Sequence, residues 1–319
     1  MTGFDLGRRE ISIEEIEELA RKYRTWGKWG ADDELGSANF VTSKTIAAAA
    51  GLIRRGDSFA LALPLGASGP QQGTGRVNPQ RVTLVGASDP VPGYPRQGFT
   101  DDAVYMPLQC ATQWDGLCHA FFDGETHNGR GVDSVTSRGG AQFNSITNFV
   151  GRATGRGVLL DIPRFLGRDS LAPGECIQAD LLQACASAQE VEVGRADFVL
   201  VRTGHLADVR RSGSWGDYAG GSAPGLGVSA ASFFCPREVT AVATDTWGVE
   251  VRPYETSKMI APLHVVMLMN AGIYFGEMWD MESLAEDCAR DGVYEFFLTA
   301  QPLSVTGAVG SPVTPIAIK

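Results

Sequence analysis

The chain has 319 residues, of which 44% are hydrophobic and 20% are charged, and its formal net charge is −10. These proportions are typical of a soluble globular protein and argue against a disordered chain. An acidic balance without clustered Lys and Arg disfavours nucleic acid or an anionic membrane surface as a partner. We therefore expect a small-molecule substrate as the partner.

The sequence shows no targeting signal or membrane span. Its N-terminus is charged and amphipathic and lacks the apolar run of a signal peptide. The most apolar window, residues 259–275, contains Pro262, His264 and Asn270 and falls short of a membrane span. The six cysteines form no CxxC pair, which predicts reduced thiols. These features predict a cytoplasmic protein.

Helical and strand-like segments follow one another along the chain. Helical periodicity covers residues 13–23, 45–54, 180–188 and 281–290, with Ser12 and Ser43 as candidate N-caps. Strand-like runs cover residues 58–65, 81–87, 103–114, 157–162, 197–204, 238–247 and 294–303. Strand and helix alternate after residue 155, which predicts an α/β fold with a mixed sheet and flanking helices. We expect a single domain over residues 1–319 with an N-terminal helical arm.

Two loops rich in glycine and proline are long for plain connections. They cover residues 64–80 and 211–227. Because long loops in compact domains are often functional, both are candidate substrate lids, and the alternative is a mobile surface insertion.

The common catalytic signatures are absent from the sequence. It contains no GxSxG, HExxH or GxxxxGK[ST] motif, and no GxGxxG between a strand and a helix. The nearest glycine cluster, residues 151–157, precedes a strand-like run instead of following one. Nucleotide binding is therefore not expected.

The segment CATQWDGLCH places one of only four histidines close to an acid and an amide. In a strand, side chains alternate, so Gln109, Gln113 and Asp115 would share one face and Trp114 would point to the other. His119, four residues after Asp115, can return to the Asp115 side. Together these residue types suit Zn or Mn, although a buried histidine satisfied by a backbone carbonyl is the simpler alternative.

A second segment strengthens the metal hypothesis. His264 lies in an apolar helical run, and Glu277 follows the apolar residues IYFG. A carboxylate in such a position is unfavourable unless it is paired or bound to a metal. A metal shared with Asp115 would satisfy both residues.

The whole chain resembles the cyclase family typified by bacterial kynurenine formamidase. The hallmark of that family is HxGTHxDxPxH, followed much later by a His and a Glu. The likeness is carried by His264 and Glu277 and by residues 29–42, 109–124, 156–164, 198–205, 223–234, 243–251 and 307–319. It implies a mixed-sheet swivelling β/β/α cyclase-like fold with flanking helices, and a homodimer or homotetramer.

The sequence departs from the family pattern at four positions. Gln109 and Gln113 stand where the two leading metal-binding histidines would be. Ala111 replaces the glycine, and Leu117 replaces the proline. These departures disfavour a binuclear site and the kynurenine formamidase activity itself.

The positions that retain ligand chemistry are Asp115, His264 and Glu277, with the amide oxygen of Gln113 as a further candidate ligand. We expect them to hold one divalent ion, Mn or Zn. Because oxygen ligands favour harder ions, Mn or even Mg competes with Zn at this site.

His119 is the proton-transfer residue that the resemblance implies, although it could also bind the metal directly. A divalent ion lowers the pKa of bound water to roughly 7 and polarises a carbonyl. An imidazole with a pKa near the usual value of about 6.5 could accept a proton and return it to the leaving nitrogen or oxygen. Cys118 suggests a thiol nucleophile, but buried cysteines are usually inert.

Five further residues are candidates for binding the substrate. Trp114, Phe121 and Phe122 flank the motif and could form an apolar wall, with core packing as the alternative. His127 lies where similar proteins carry an aromatic residue, and His205 follows a strand end. For both histidines the alternative is an ordinary structural position.

The sequence therefore predicts a metal-dependent hydrolase, of the amidohydrolase or lactonase type. It would cleave a carbon–nitrogen or ester bond in a small cyclic or aryl amide or lactone. One alternative is a non-catalytic, metal-free binding protein derived from the family. The other is a metal-dependent lyase or cyclase that stabilises an enolate.

Overall fold

A computed structural model of the chain describes residues 3–73, 75–89, 91–94 and 96–319. Its strands are β1 (Ser58–Ala60), β2 (Gln80–Val85), β3 (Asp101–Tyr105), β4 (Gln113–Asp115), β5 (Val135–Thr136), β6 (Gly140–Ala141), β7 (Thr154–Asp161), β8 (Cys176–Ile177), β9 (Phe198–Arg202), β10 (Gly225–Leu226), β11 (Ala241–Thr244), β12 (Tyr274–Glu277), β13 (Glu295–Thr299), β14 (Gly310–Pro312) and β15 (Ile316–Ile318).

The α-helices are α1 (Ile13–Tyr23), α2 (Ser43–Ala50), α3 (Ile162–Phe165), α4 (Ala179–Ala188), α5 (His205–Ser212), α6 (Ala231–Phe234) and α7 (Glu282–Asp291). A π-helix covers His264–Ala271. Short 3₁₀ segments lie at Gly36–Phe40, His127–Gly129, Val132–Ser134, Ile146–Phe149, Val228–Ala230 and Cys235–Arg237.

Nine strands form one mixed sheet in the order β1-β15-β13-β7-β9-β11-β12-β4-β14. Strands β7, β9, β11 and β12 are parallel neighbours at its centre. Strands β13 and β4 flank this parallel block and run antiparallel to it. Strands β9 and β11 are buried along their whole length and are mostly apolar, as expected for parallel strands that are covered on both faces. The predicted α/β fold with a mixed sheet and flanking helices is confirmed.

Helix α1 has the bounds that its periodicity predicts. Ser12 and Glu15 form a reciprocal capping box, and Ile16 and Ala20 are buried. After the helix, Nε of Arg24 donates to Oδ1 of Asn270 at 2.8 Å. The N-terminal arm is therefore fastened to the π-helix that begins at His264.

Helix α2 begins earlier than predicted. Its N-cap is Thr42, whose hydroxyl accepts the Thr45 N–H at 3.2 Å, while the Thr45 hydroxyl accepts the Thr42 N–H at 2.8 Å. The expectation that Ser43 is the cap is wrong, because Ser43 is the first helical residue. The helix ends at Ala50, before Gly51.

The run 103–114 was predicted as one strand but forms two. Strands β3 and β4 are separated by turns over residues 106–112. Strand β3 pairs with β2 in a two-stranded ribbon whose residues are almost all exposed. Strand β4 is short and fully buried between β12 and β14. Similarly, only Ser58–Ala60 of the run 58–65 is a strand.

Within the described part of the chain, no helix has the length and apolar character needed to cross a membrane. All six cysteines are free thiols, as their spacing predicts.

Candidate metal centre

Strands β4 and β12 bring two acids together at one end of the sheet. Gln113 is paired with Glu277, and Asp115 is paired with Phe275. Gly276 lies between these partners, and a Cβ there would be 2.7 Å from the Trp114 ring. The close packing behind the strand therefore requires glycine at this position.

Asp115, His264 and Glu277 form a buried cluster whose potential ligand atoms all lie within 4.8 Å of one another. Nε2 of His264 is 3.8 Å from Oδ2 of Asp115 and 3.7 Å from Oε1 of Glu277. Two acids and an imidazole converge although they are far apart in sequence. The three residues that were predicted to share a metal are thus brought together.

Gln113 joins the two carboxylates. Its Nε2 donates to Oε2 of Glu277 at 2.8 Å and to Oδ1 of Asp115 at 3.1 Å. One amide group therefore fixes one oxygen of each acid. The other oxygens, Oδ2 of Asp115 and Oε1 of Glu277, face His264.

Glu250 orients the His264 ring. Its Oε1 is 2.5 Å from Nδ1 of His264, and its two oxygens accept the backbone N–H groups of Leu263 and His264 at 2.9 Å each. Because Nδ1 is occupied by this contact, Nε2 is the nitrogen that faces the acid pair. Sequence reasoning missed Glu250, although an acid between the apolar residues Val249 and Val251 is a detectable signal.

The three clustered groups have strongly perturbed protonation equilibria. Burial and the neighbouring Asp115 charge raise the pKa of Glu277 to about 7. Burial opposes ionisation of Asp115 as well, but His119 and His264 hold its pKa below the usual value. Burial disfavours protonated His264, yet the carboxylates of Asp115, Glu250 and Glu277 raise its pKa well above the usual value. The cluster therefore favours a positive charge at its centre.

The donor set fits a divalent cation. Oδ2 of Asp115 and Oε1 of Gln113 are buried and have no hydrogen-bond partner among the described residues. Buried polar atoms of this kind are costly unless a ligand or water satisfies them. Two carboxylates, one imidazole and one amide oxygen are ligands that Mn and Zn accept. Asp115, His264 and Glu277 could hold such an ion. Gln113 turns its Nε2 donor toward both acids, and ligation by its oxygen stays a prediction.

His119 lies beside the cluster and also reaches solvent. Its Nε2 is 3.7 Å from Oδ1 of Asp115, and its side chain is 24% exposed. Burial lowers the pKa of His119 and outweighs the opposing effect of Asp115. The ring is therefore neutral at neutral pH and able to accept a proton.

A cavity of about 360 Å³ opens above the cluster. It is lined by His119, His264 and Glu277 and by aromatic and basic residues from three loops. The aromatic residues are Phe121, Trp247 and Tyr254, and the basic residues are Arg76 and Arg252. This size suits a small-molecule ligand.

Phe121 lines this cavity, and its side chain is 60% exposed. Phe122 lines the adjacent, more open cavity, which shares Phe121, Arg252 and Tyr254 with the first. Contact of either phenylalanine with a substrate stays a prediction.

The expectation that Trp114 contributes to a substrate wall is wrong. Its side chain is fully buried and lies edge-on to two aromatic rings. The distance between ring centres is 4.7 Å to Trp279 and 5.6 Å to Phe149. Its indole N–H donates to the carbonyl of Ala300 at 2.7 Å. Alternation along β4 places Trp114 behind the strand, opposite Asp115.

The structure brings neither His127 nor His205 to the cavity. His127 is buried, and its Nδ1 lies 2.8 Å from the carbonyl of Met269, which is the structural alternative considered above. His205 begins α5 and stacks on Tyr218 at 5.4 Å. The substrate-binding role predicted for these two histidines is therefore not supported by their positions.

The loop 64–80, of which residue 74 lies outside the described residues, is tied to the segment that precedes β4. Nη1 of Arg76 donates to the carbonyl of Gln109 at 3.0 Å, and Nε2 of Gln71 donates to that of Cys110 at 2.9 Å. This loop delivers Arg76 to the cavity wall. Its role as a lid stays a prediction. Sequence reasoning did not single out Arg76.

The fold and the cluster define an α/β protein with a candidate metal centre. Comparisons with known proteins identify its family: residues 36–251 match the family described as "Putative cyclase". The chain belongs to the cyclase family, and the resemblance noted in the sequence is confirmed.

Solved structures agree with this assignment. A crystal structure described as a novel cyclase is 36% identical, with a TM-score of 0.84, and the match covers 94% of this chain and 99% of that one. Isatin hydrolase A from Ralstonia solanacearum is 17% identical, with a TM-score of 0.62, over 86% of this chain and 95% of that one. A "predicted metal-dependent hydrolase" from Bacillus stearothermophilus is 15% identical, with a TM-score of 0.53, over 83% and 98%. At these low identities, the last two similarities show a shared fold and nothing further. No curated protein matches the chain.

Proposed function

We propose that the protein is a metal-dependent hydrolase that cleaves a carbon–nitrogen or ester bond in a small cyclic or aryl amide or lactone. One Mn or Zn ion, held by Asp115, His264 and Glu277, is the proposed cofactor. A cytoplasmic homodimer or homotetramer remains part of this proposal. The family and the names of the structurally similar proteins support the reaction class.

The observation that carries the proposal is the buried cluster. Its potential ligand atoms lie within 4.8 Å of one another, and one oxygen of Asp115 has no hydrogen-bond partner among the described residues. Burial raises the pKa of Glu277 to about 7, and repulsion from the nearby Asp115 carboxylate adds to this effect. A cation would relieve this repulsion and satisfy the unpaired oxygen.

The ion would supply hydroxide at neutral pH and polarise the carbonyl under attack. Gln113 holds one oxygen of each acid, which leaves the other oxygen of each directed toward His264. Glu250 holds Nδ1 of His264, which leaves Nε2 to face the acids. These contacts hold the side chains of Asp115, His264 and Glu277 in place before any ion binds, so that little reorganisation is needed.

His119 is proposed as the acid/base residue. Because burial lowers its pKa, its ring is neutral at neutral pH and can accept a proton from water. The protonated ring would be stabilised by Asp115, 3.7 Å away, and could then donate to the leaving nitrogen or oxygen. Its exposed edge reaches the cavity that would hold the substrate.

The proposal is tested with protein loaded with Mn or Zn and a panel of aryl formamides, cyclic aryl amides and aryl lactones. The His119→Asn variant should retain the metal but lose about 10²–10⁴-fold in kcat, as expected for loss of an acid/base group. Retained metal with lost activity separates proton transfer from ligation. Activity equal to that of the parent protein would refute the assignment of His119.

Reaction in ¹⁸O-labelled water separates hydrolysis from the lyase or cyclase alternative. Hydrolysis must leave solvent oxygen in the newly formed acid, whereas elimination or cyclisation through an enolate need not. A product without the label would therefore replace the hydrolase by the lyase or cyclase. If the protein binds the panel without turnover or metal, the non-catalytic binding protein becomes the correct interpretation.

A further inference from the structure

Arg76 differs from the other positively charged group in the cavity wall. Arg252 donates from Nε to the carbonyl of Gly221 at 3.1 Å, from Nη2 to that of Gly220 at 2.5 Å and from Nη1 to the hydroxyl of Tyr254 at 2.8 Å. All three of its nitrogens are engaged in holding the loop. These contacts leave Arg252 only one unused N–H on each terminal nitrogen, and they fix its guanidinium against the loop.

Arg76, by contrast, has most of its N–H groups unengaged among the described residues. Only its Nη1 donates within the described part of the chain, to the carbonyl of Gln109 at 3.0 Å. Its guanidinium carbon lies 5.2 Å from the centre of the Trp247 ring. These two contacts hold the group in place, while Nε and Nη2 make no hydrogen bond to any described residue. No acid pairs with it among those residues.

The charge of Arg76 reaches the reacting groups. It lowers the pKa of Asp115, His119 and Glu277, although burial and the nearer charges act more strongly on each of them. Arg76 also lines the same cavity as His119 and Glu277. A ligand in this cavity of about 360 Å³ can therefore contact both His119 and Arg76.

We propose that Arg76 binds a carboxylate of the substrate, which makes the substrate a small aryl amide or lactone that itself bears a carboxylate. A guanidinium whose Nε and Nη2 are both unengaged can present the fork of two parallel N–H groups that recognises a carboxylate. Phe121, Trp247 and Tyr254 line the same cavity and provide aromatic surface for the ring. This inference rests on the proposed function.

The test uses phenylacetate and its neutral isostere phenylacetamide as probes. Both are titrated by calorimetry into the Mn-loaded protein and into the protein after chelation, so that binding of the carboxylate to the ion is recognised. The variant is Arg76→Gln. The matched control is Arg81→Gln, which removes an exposed arginine from the ribbon formed by β2 and β3. Circular dichroism confirms that each variant is folded.

The parent protein and Arg81→Gln should bind phenylacetate at least about tenfold more tightly than phenylacetamide, and Arg76→Gln should lose this preference. Arg76→Lys should recover only part of it, because an ammonium lacks the fork. Equal affinity of Arg76→Gln and the parent protein for phenylacetate would overturn the inference. So would a parent protein that does not distinguish the two probes.

This binding test does not depend on turnover. Carboxylate binding that requires Arg76, in a protein that hydrolyses no amide or lactone, would refute the proposed function and leave only the carboxylate-binding role of Arg76. Hydrolysis of neutral amides without dependence on Arg76 would support the proposed function and refute the inference about Arg76.

Discussion

The imidazole of His264 is held between carboxylates on both of its nitrogens. Nδ1 is 2.5 Å from Oε1 of Glu250, and Nε2 faces Oδ2 of Asp115 at 3.8 Å and Oε1 of Glu277 at 3.7 Å. Glu250 also accepts the backbone N–H groups at the start of the π-helix. One acid thus fixes both the ring and the backbone that carries it.

The Glu250→Gln variant should bind Mn or Zn about 10–100-fold more weakly, as is typical when a partner behind a metal-binding histidine is changed. The amide carries no negative charge, so Nε2 of His264 becomes a weaker ligand for the metal. Calorimetric titration with the metal measures the effect. Glu286→Gln, which changes an acid with a 69% exposed side chain, is the control. Unchanged affinity in Glu250→Gln would show that Glu250 is only structural.

The Gln113→His variant should shift the metal preference toward Zn. It replaces an amide that touches both acids with an imidazole, and nitrogen ligands favour Zn over harder ions. We expect the ratio of Zn to Mn affinity to rise by about tenfold. Gln183→His, on the exposed side of α4, adds the same ring away from the site. A shift of the same size in this control would attribute the effect to adventitious zinc binding.

Cys118 should be chemically inert in the folded protein. Burial raises the pKa of its thiol to about 12, so the thiolate is essentially absent at pH 8. A raised thiol pKa means that reactivity appears only well above neutral pH. Cys118→Ala should therefore retain kcat/KM, and the native thiol should resist alkylation at pH 8. Loss of activity in a folded, metal-loaded Cys118→Ala protein would revive the thiol-nucleophile hypothesis.

Substitution of Trp114 should mainly affect stability, whereas substitution of Phe121 should mainly affect substrate binding. Trp114→Phe should lower the free energy of unfolding by about 1–3 kcal/mol, because it loses core packing and leaves the Ala300 carbonyl without its donor. Phe121→Ala should change it by less than about 0.5 kcal/mol, since the side chain is exposed, but should raise KM. Urea unfolding and steady-state kinetics measure the two effects. A change in KM for Trp114→Phe equal to that for Phe121→Ala would contradict the assigned positions.

Local signals made part of the fold predictable. The capping box of Ser12 with Glu15 and the buried stripe of Ile16 and Ala20 lie within one helix, so the sequence alone gives the bounds of α1. The run 103–114 could not be divided in the same way. Its two halves pair with β2 and with β12 and β14, and these long-range partners leave no trace in the local pattern.

The site was predictable to the extent that ligand chemistry marks it. Asp115, His264 and Glu277 stood out because acids and histidines are rare in apolar segments, and the structure brings them together. Glu250 lies in a stretch that was noted only for its resemblance, and Arg76 lies in a loop without any pattern. Their contributions depend on long-range contacts to His264 and to Gln109.

Trp114 shows a further limit of sequence reasoning. An aromatic residue beside a reactive motif looks the same whether it faces a substrate or the core. Strand alternation already placed Trp114 on the face opposite Asp115, and burial between Phe149 and Trp279 completes that assignment.

The most direct test of the metal centre is elemental analysis of the purified, reconstituted protein together with two variants, Asp115→Ala and Glu277→Ala. Asp101→Ala, which removes an exposed acid from β3, serves as the control. We expect about one Mn or Zn per chain in the parent protein and the control, and loss of the ion from both variants. A folded parent protein that binds no metal after reconstitution, or variants that retain the ion, would contradict the proposed centre.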